Sequence, residues 1–364
     1  MKLNIIIYFN NNNFMQRILI TGGAGFIGSH TCIKLLKNNY EVYLVDSFVN
    51  SSPKVINRIS SICNLYNSKL AKNLKVFKGD LKDKGFIENI FSNAKKLGKP
   101  IEGVIHFAGL KAVNESVINP LLYWYENMFS SINLVSVMKK YNCNILVFSS
   151  SATVYGKEAI SPIKENSYLN PSNPYGNTKL TIEKLLSDLY NENQNLWKIA
   201  CLRYFNPIGA HPSSLIGENP LGTPNNLFPL ICNAAIDNNH KLNIFGSDWN
   251  TIDGTCIRDF VHVSDVAEGH LKTLEYLIHN KSNILKMNIG TGFGTTVLQL
   301  IETFSRINNI KVDYKFSSRR AGDIAEIVAD NSLSSSLLNW KPQKSIEEMC
   351  VDGWNWKKNN VNGY

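Results

Sequence analysis

Several classes of protein are excluded by what this chain lacks. Its seven cysteines are scattered singly and no Cys-x-x-Cys pair occurs. That argues against a disulfide framework; an odd, dispersed set fits free thiols in a reducing cytoplasm. No apolar run reaches the roughly 20 residues needed to span a bilayer, so no membrane role is expected. The net charge is +9, yet no basic block interleaved with aromatics accompanies it. The lysine-rich composition therefore reads as a solvated surface and not as a nucleic-acid or membrane face, with some charge left to serve an anionic small ligand. No repeat occurs, no metal site is expected, and the one low-complexity tract is the asparagine run at 10–13.

The first 14 residues stand apart. Leu3 to Phe9 is too short and interrupted for a signal core, and Asn10 to Asn13 offer no small-residue cleavage site. Met15 stands two residues before the first apolar run, so residues 1–14 are expected to be a disordered extension or a mis-assigned start. The remaining length suits one large domain or two moderate ones, and 44% hydrophobic residues is ordinary for a globular chain.

What is present is a phosphate-binding corner. Arg17 to Ile20 reads as a strand and Ser29 to Lys37 as a helix; between them lies Thr21-Gly22-Gly23-Ala24-Gly25-Phe26-Ile27-Gly28. Gly23-x-Gly25-x-x-Gly28 fits the dinucleotide fingerprint, and Gly22-x-x-Gly25-x-x-Gly28 fits a close variant. Glycines let backbone approach a pyrophosphate and let the helix pack tightly on the strand. A second strand, Glu41 to Val45, ends in Asp46, 18 positions beyond Gly28. An acidic residue there meets ribose hydroxyls and repels a 2′-phosphate, which favours NAD over NADP.

The alternation continues. Helices are expected at 54–70, 84–96, 120–140 and 174–191, and strands at 74–77, 101–106, 145–148 and 197–204. The strands end at polar or glycine-bearing corners: Gly79-Asp80-Leu81, Phe107-Ala108-Gly109 and Ser149-Ser150-Ser151. This pattern predicts an α/β fold of Rossmann type, a doubly wound parallel sheet with its ligand crevice at the strands' carboxyl ends. After Pro207 the texture changes and Pro and Gly cluster. The division expected is a cofactor domain over 15–207 and a smaller C-terminal α/β substrate domain over 208–364. A strand near 285–289 is expected, with possible return to the main sheet. Helices are expected at 263–279, capped by Ser264, at 296–306 and at 345–358.

Tyr175-Gly176-Asn177-Thr178-Lys179 sets a phenol and an ammonium four apart on one helix face. Ser151 precedes Tyr175 by 24 positions at a strand's end. An adjacent ammonium stabilises a phenolate, and a serine hydroxyl can hold a substrate oxygen. The set suits removal of a proton from an alcohol while hydride leaves its carbon.

These residues resemble the extended short-chain dehydrogenase/reductase superfamily, and within it the UDP-glucose 4-epimerase family. The likeness spans 15 to about 358 and is carried by Thr21–His30, His106–Val113, Ser149–Gly156, Leu202–Pro207, Pro224–Leu227, Asp253–Thr255, Arg258–Val263 and Arg319–Asp323. The resemblance implies interconversion of UDP-galactose and UDP-glucose on tightly bound NAD through a 4-keto sugar. It makes Tyr175 the base, Lys179 the group that depresses its pKa, and Ser151 the holder of the reacting oxygen. It places NAD against Gly22, Gly25, Phe26, Ile27, Gly28, Asp46, Asn50, Ser51, Asp80, Leu81, Phe107, Ala108, Gly109, Lys111 and Phe205. It places the nucleotide sugar against Asn206, Asn226, Leu227, Phe245, Arg258, Arg320 and Asp323, where guanidinium forks suit a diphosphate. It implies a homodimer through the helices at 120–140 and 175–191.

For Lys111 alone, a solvated loop lysine is the competing reading; for Arg258, a surface pair with Asp259; for Phe245, core packing. Two residues depart from the family pattern. Ser47 stands where Asn is frequent, and Ile327 where bacterial members commonly carry Tyr. The smaller Ile327 leaves acceptance of UDP-N-acetylhexosamines open. Among rivals, a 4,6-dehydratase needs an Asp-Glu pair after Ser151, where this chain has Ala152 and Thr153. Epimerases of other UDP-sugars and a non-catalytic NAD sensor on the same fold remain as alternatives.

Overall fold

The computed structural model describes residues 15–222, 224, 226–237, 241–320 and 322–364. The expected N-terminal extension, residues 1–14, and Asn225 of the Pro224–Leu227 motif lie outside them. The first half alternates as the sequence pattern predicts: β1 (Arg17–Thr21), α1 (Phe26–Lys37), β2 (Glu41–Asp46), α2 (Lys54–Tyr66), β3 (Leu74–Lys78), α3 (Lys84–Lys96), β4 (Gly103–His106), α4 (Val113–Ile118), α5 (Pro120–Lys140), β5 (Ile145–Ser151), α6 (Pro174–Glu192) and β6 (Lys198–Tyr204).

The second half is finer-grained: β7 (Asn206–Ile208), α7 (Leu227–Ile236), β8 (Leu242–Phe245), β9 (Ile257–Arg258), β10 (Phe260–His262), α8 (Val263–His279) and β11 (Asn283–Ile289). It continues with β12 (Thr295–Thr296), α9 (Val297–Asn308), β13 (Tyr314–Ser317), β14 (Glu326–Ile327), α10 (Ser332–Leu338) and α11 (Ile346–Asn359).

Seven strands form one sheet in the order β11-β6-β5-β4-β1-β2-β3, every neighbouring pair parallel. Strands in such a sheet are covered on both faces, which explains their near-continuous apolar runs. Ile18, Ile20, Val42, Leu44, Ile105 and Val147 pack on one face under α1, α2 and α8. Leu19, Tyr43, Val45, Val104, Leu146 and Phe148 pack on the other under α3, α5 and α6. The strand order reverses direction between β1 and β4, and the crevice for a ligand opens at that point.

The shorter strands form three small sheets, β10-β7, β12-β9-β14 and β13-β8. A third core joins α7, β8, α9 and α11 through Phe228, Ile231, Leu242, Ile244, Phe304, Met349 and Trp354. β11 leaves this region and pairs with β6 over Asn283↔Lys198 to Ile289↔Tyr204. Asp259 fastens the joint: its buried carboxylate accepts from Thr291 N (2.7 Å), Gly292 N (2.9 Å) and Ala329 N (3.1 Å).

Some expectations differ in detail. α1 begins at Phe26, three residues before Ser29, because Gly25 already serves as its N-cap. α2 stops at Tyr66, and Leu70–Asn73 is a separate 3₁₀ turn. α8 is capped by His262, whose ring nitrogen accepts from Ser264 N at 2.9 Å, so Ser264 is the recipient of the cap and not its source. All seven cysteines are free and buried. Among the described residues, no helix is long and apolar enough to cross a membrane.

Candidate active site

The glycine corner lies at the switch point. Gly22 has φ +66°, and a Cβ built on it would lie 2.7 Å from Ala108 N at the end of β4. Only glycine lets the β1 and β4 turns meet. A Cβ on Gly28 would stand 2.4 Å from Gly22 O, so α1 packs directly on the turn. The first amides of α1, at Phe26 and Ile27, border the cleft as a helix N-terminus suited to an anion.

Asp46 closes β2. Its Oδ2 accepts from Ala24 N (2.9 Å), and its Oδ1 from Phe48 N (2.9 Å) and Ser51 Oγ (2.8 Å). These bonds fix the carboxylate and leave lone pairs for further donors. Ser47, the departure from the family pattern, lines the cleft beside it.

One cleft of about 620 Å³ runs along the carboxyl ends of the strands. It collects all fifteen expected cofactor contacts, from Gly22 to Phe205, together with Ser151, Tyr175, Lys179, Asn206 and Asn226. Glycine cradle, bare helix terminus and ribose-side carboxylate all fit NAD. The other expected substrate residues, Leu227, Phe245, Arg258, Arg320 and Asp323, are not among the groups lining it. Four of them form a cluster in the lobe. Arg320 stacks 4.7 Å over the Phe245 ring and pairs with Asp323 at 3.1 Å. Arg258, on β9, donates to the carbonyls of Ile257 and Ile324 at 2.8 Å each and does not pair with Asp259. Ile327 faces Arg258 across the β9–β14 pair and packs against the small core containing Phe205. Leu227 is the first residue of α7.

The three chemical side chains converge from two elements. Ser151 ends β5. Tyr175 and Lys179 rise from the first turns of α6, whose start is fixed by Pro174 and by Asn173, the side chain of which accepts from Gly176 N at 2.9 Å. Tyr175 hydrogen-bonds Ser151, but burial outweighs that bond and pushes the phenol up to about 12. Lys179 is pulled down to about 8 by burial. Its ammonium donates to Ser149 O at 2.7 Å and lies 5.9 Å from the Tyr175 ring centroid. The lysine is committed to a backbone carbonyl, and desolvation of the phenol dominates.

The chain is similar along most of its length to named proteins. A family model described as GDP-mannose 4,6 dehydratase matches residues 19–352. The UDP-glucose 4-epimerase of Bacillus subtilis (strain 168) is 46% identical over 347 residues, covering 95% of this chain and 98% of the relative. The chain belongs to the UDP-glucose 4-epimerase family. Among structures, the UDP-glucose-4-epimerase of Stenotrophomonas maltophila, with bound NAD and formylated UDP-arabinopyranose, superposes with a TM-score of 0.89 at 40% identity, covering 96% of this chain and 99% of that one. The epimerase of Bifidobacterium longum, in complex with NAD+ and UDP, gives 0.88 at 40% identity over 96% and 100% of the two chains. Epimerase membership also fits the absence of an acid at positions 152 and 153, which a dehydratase would use.

Sequence reasoning passed over several residues of this epimerase-family site. Glu183, on α6, and Arg203, on β6, form a buried ion pair. Arg203 Nη2 lies 2.6 Å from Glu183 Oε2, with the two side chains 0% and 1% exposed. Ser150 Oγ donates to the same carboxylate at 2.5 Å. The spacing of Lys179 and Glu183, one helical turn, was the available signal. Lys82 bridges Asp80 (3.1 Å) and Glu126 on α5 (2.6 Å) at the end of β3. Glu218 and Tyr364 also border the cleft and carry no motif of their own.

Proposed function

We propose that the chain interconverts UDP-galactose and UDP-glucose by reversible oxidation at sugar carbon 4. NAD, held by the glycine corner and Asp46, would supply the hydride acceptor for that carbon. Tyr175 takes the proton of the carbon-4 hydroxyl and gives it back after the keto sugar has turned its other face. Ser151 donates to the same oxygen. Burial holds the Tyr175 phenol neutral up to about 12, and the nearby Lys179 ammonium opposes that by favouring the phenolate. Asn206 and Asn226 meet the substrate in the cleft, and Phe245, Arg258, Arg320, Asp323 and Leu227 form the uridine diphosphate side of the lobe. Residues 15–207 hold the cofactor and 208–364 the nucleotide sugar, with β11 serving the sheet. The observation that carries this reading is the meeting of Ser151, Tyr175 and Lys179 with the glycine corner in one cleft.

The chain is also proposed to act as a homodimer. Leu121, Tyr125, Phe129 and Ile132 form an apolar stripe along α5 and are 82%, 51%, 50% and 41% exposed. Their spacing of three and four places them on one helix face.

The test is conversion of UDP-galactose to UDP-glucose by purified protein without added NAD. Folded, NAD-loaded protein that gives no product sinks the proposal. Tyr175→Phe is expected to fold and keep its NAD while turning over about 10²–10⁴-fold more slowly. Full activity in that variant would mean another group is the base.

A further inference from the structure

Glu218 does not belong to any motif, and yet it touches both halves of the site. Its side chain is 9% exposed. Its Oε1 accepts from Lys111 Nζ at 3.3 Å and from Asn226 Nδ2 at 2.6 Å. Lys111 is on the β4–α4 turn, among the expected cofactor contacts. Asn226 caps α7, among the expected substrate contacts.

The two partners of this ion pair are unequally fixed. Lys111 is half exposed, and an exposed lysine on a flexible stem gains little from a solvated pair. Glu218 is held through its backbone. Its carbonyl accepts from Trp356 Nε1 at 3.2 Å. The preceding Gly217 is gripped at both backbone groups by one phenol: Gly217 N donates to Tyr364 Oη at 3.1 Å, and Tyr364 Oη donates to Gly217 O at 3.0 Å. A Cβ on Gly217 would lie 2.4 Å from the Trp356 ring, so the strap lies flat on the indole. The Tyr364 ring packs tilted against the same indole, with centroids 4.7 Å apart and the planes at 46°. The carboxylate is therefore the fixed partner and the lysine the movable one.

We propose that Glu218 is a positioning residue that holds Lys111 over the cofactor and ties it to Asn226, with Tyr364 as the anchor that keeps Glu218 in place. Gly217–Glu218 then acts as a strap across the cleft. It slows loss of the dinucleotide and makes that loss sensitive to the nucleotide occupying the substrate side. This rests on the NAD and UDP-sugar reading above.

The test follows NAD appearing in the filtrate of full-length protein after dilution, with and without saturating UDP. Glu218→Gln keeps shape but removes the charge, and is expected to release NAD about tenfold faster. Tyr364→Phe removes one hydroxyl and both of its bonds, and is expected to release it about threefold faster. UDP is expected to slow release from the wild type and to leave Glu218→Gln unaffected, a difference that a general loss of stability would not produce. If Glu218→Gln fails to fold, Tyr364→Phe carries the same comparison. Release at the wild-type rate from both variants, or UDP protection retained in whichever folds, overturns the strap alone. A wild type that holds no NAD overturns both the strap and the reading beneath it.

Discussion

Removal of the Glu183 carboxylate tests how α6 is held. Glu183→Leu leaves the Arg203 guanidinium at 0% exposure with no counter-charge. Arg203 would keep its bonds to Tyr155 Oη (3.0 Å) and Glu165 O (2.9 Å), but it would lose the two to Glu183 at 3.0 and 2.6 Å. Breaking a buried pair from one side costs about 3–5 kcal/mol, because an uncompensated charge remains in the interior. That is a large share of the roughly 5–15 kcal/mol by which folded domains persist. With a urea slope of about 3 kcal/mol/M for a long chain, the unfolding midpoint should fall by about 1–1.7 M. Tryptophan fluorescence reports it, since Trp197 and Trp340 are fully buried. Replacing both partners, Glu183→Leu with Arg203→Met, should recover most of the loss, as no buried charge is left. A single variant whose midpoint moves by less than about 0.3 M would refute the reasoning, since a solvated pair is worth only about 0–1 kcal/mol. So would a double variant as unstable as the two singles combined.

Other outcomes follow from features already described. Burial holds His106 at about 3 and His270 at about 4, against an ordinary 6.5. Below pH 6.5 the unfolded chain binds protons that these folded side chains refuse, so stability falls as pH falls. The loss is about 2 kcal/mol per histidine by pH 5. Melting temperature should drop between pH 7 and pH 5, above the usual carboxylate range, and a flat profile would contradict the buried neutral rings. Gly28→Ala forces a Cβ against Gly22 O and should cost about 1–3 kcal/mol and most of the bound NAD, read as NAD per chain after gel filtration. Phe129→Lys on the exposed stripe of α5 should halve the mass seen by light scattering. An unchanged mass would overturn the proposal that this stripe carries a dimer seam.

The centre of the sheet was legible in sequence because β2, β5 and β6 are buried along most of their length and carry four apolar residues in a row, whereas the mostly exposed edge strand β3 was placed by its position in the alternation. The lobe was not. β9, β12 and β14 are two residues each, too short for any alternation to register, and their pairing is set by contacts such as Asp259 with Thr291 that no local pattern announces. Tyr175 and Lys179 were legible from their helical spacing. Glu183, one turn further on, reads in a helix as a solvated acid until Arg203 is seen across from it. The balance of forces on Tyr175 was out of reach for a related reason. Spacing puts an ammonium near a phenol, but it does not reveal that Ser149 O holds that ammonium.

The pairing of β6 with β11 has a consequence for how the chain must be assembled. β6 is complete at Tyr204, but its neighbour is not made until the chain has gone through β7 to β10 and α8. Until then β6 is a bare margin of unpaired amides and carbonyls, open to pairing with any other extended chain. The C-terminal lobe is thus a detour within the sheet's own synthesis. A fragment ending near residue 207 would keep the glycine corner and all three chemical side chains, yet it would carry that margin permanently. The cofactor half cannot be cut free as a tidy module, and grafting a different lobe requires that β11 be returned to the same edge.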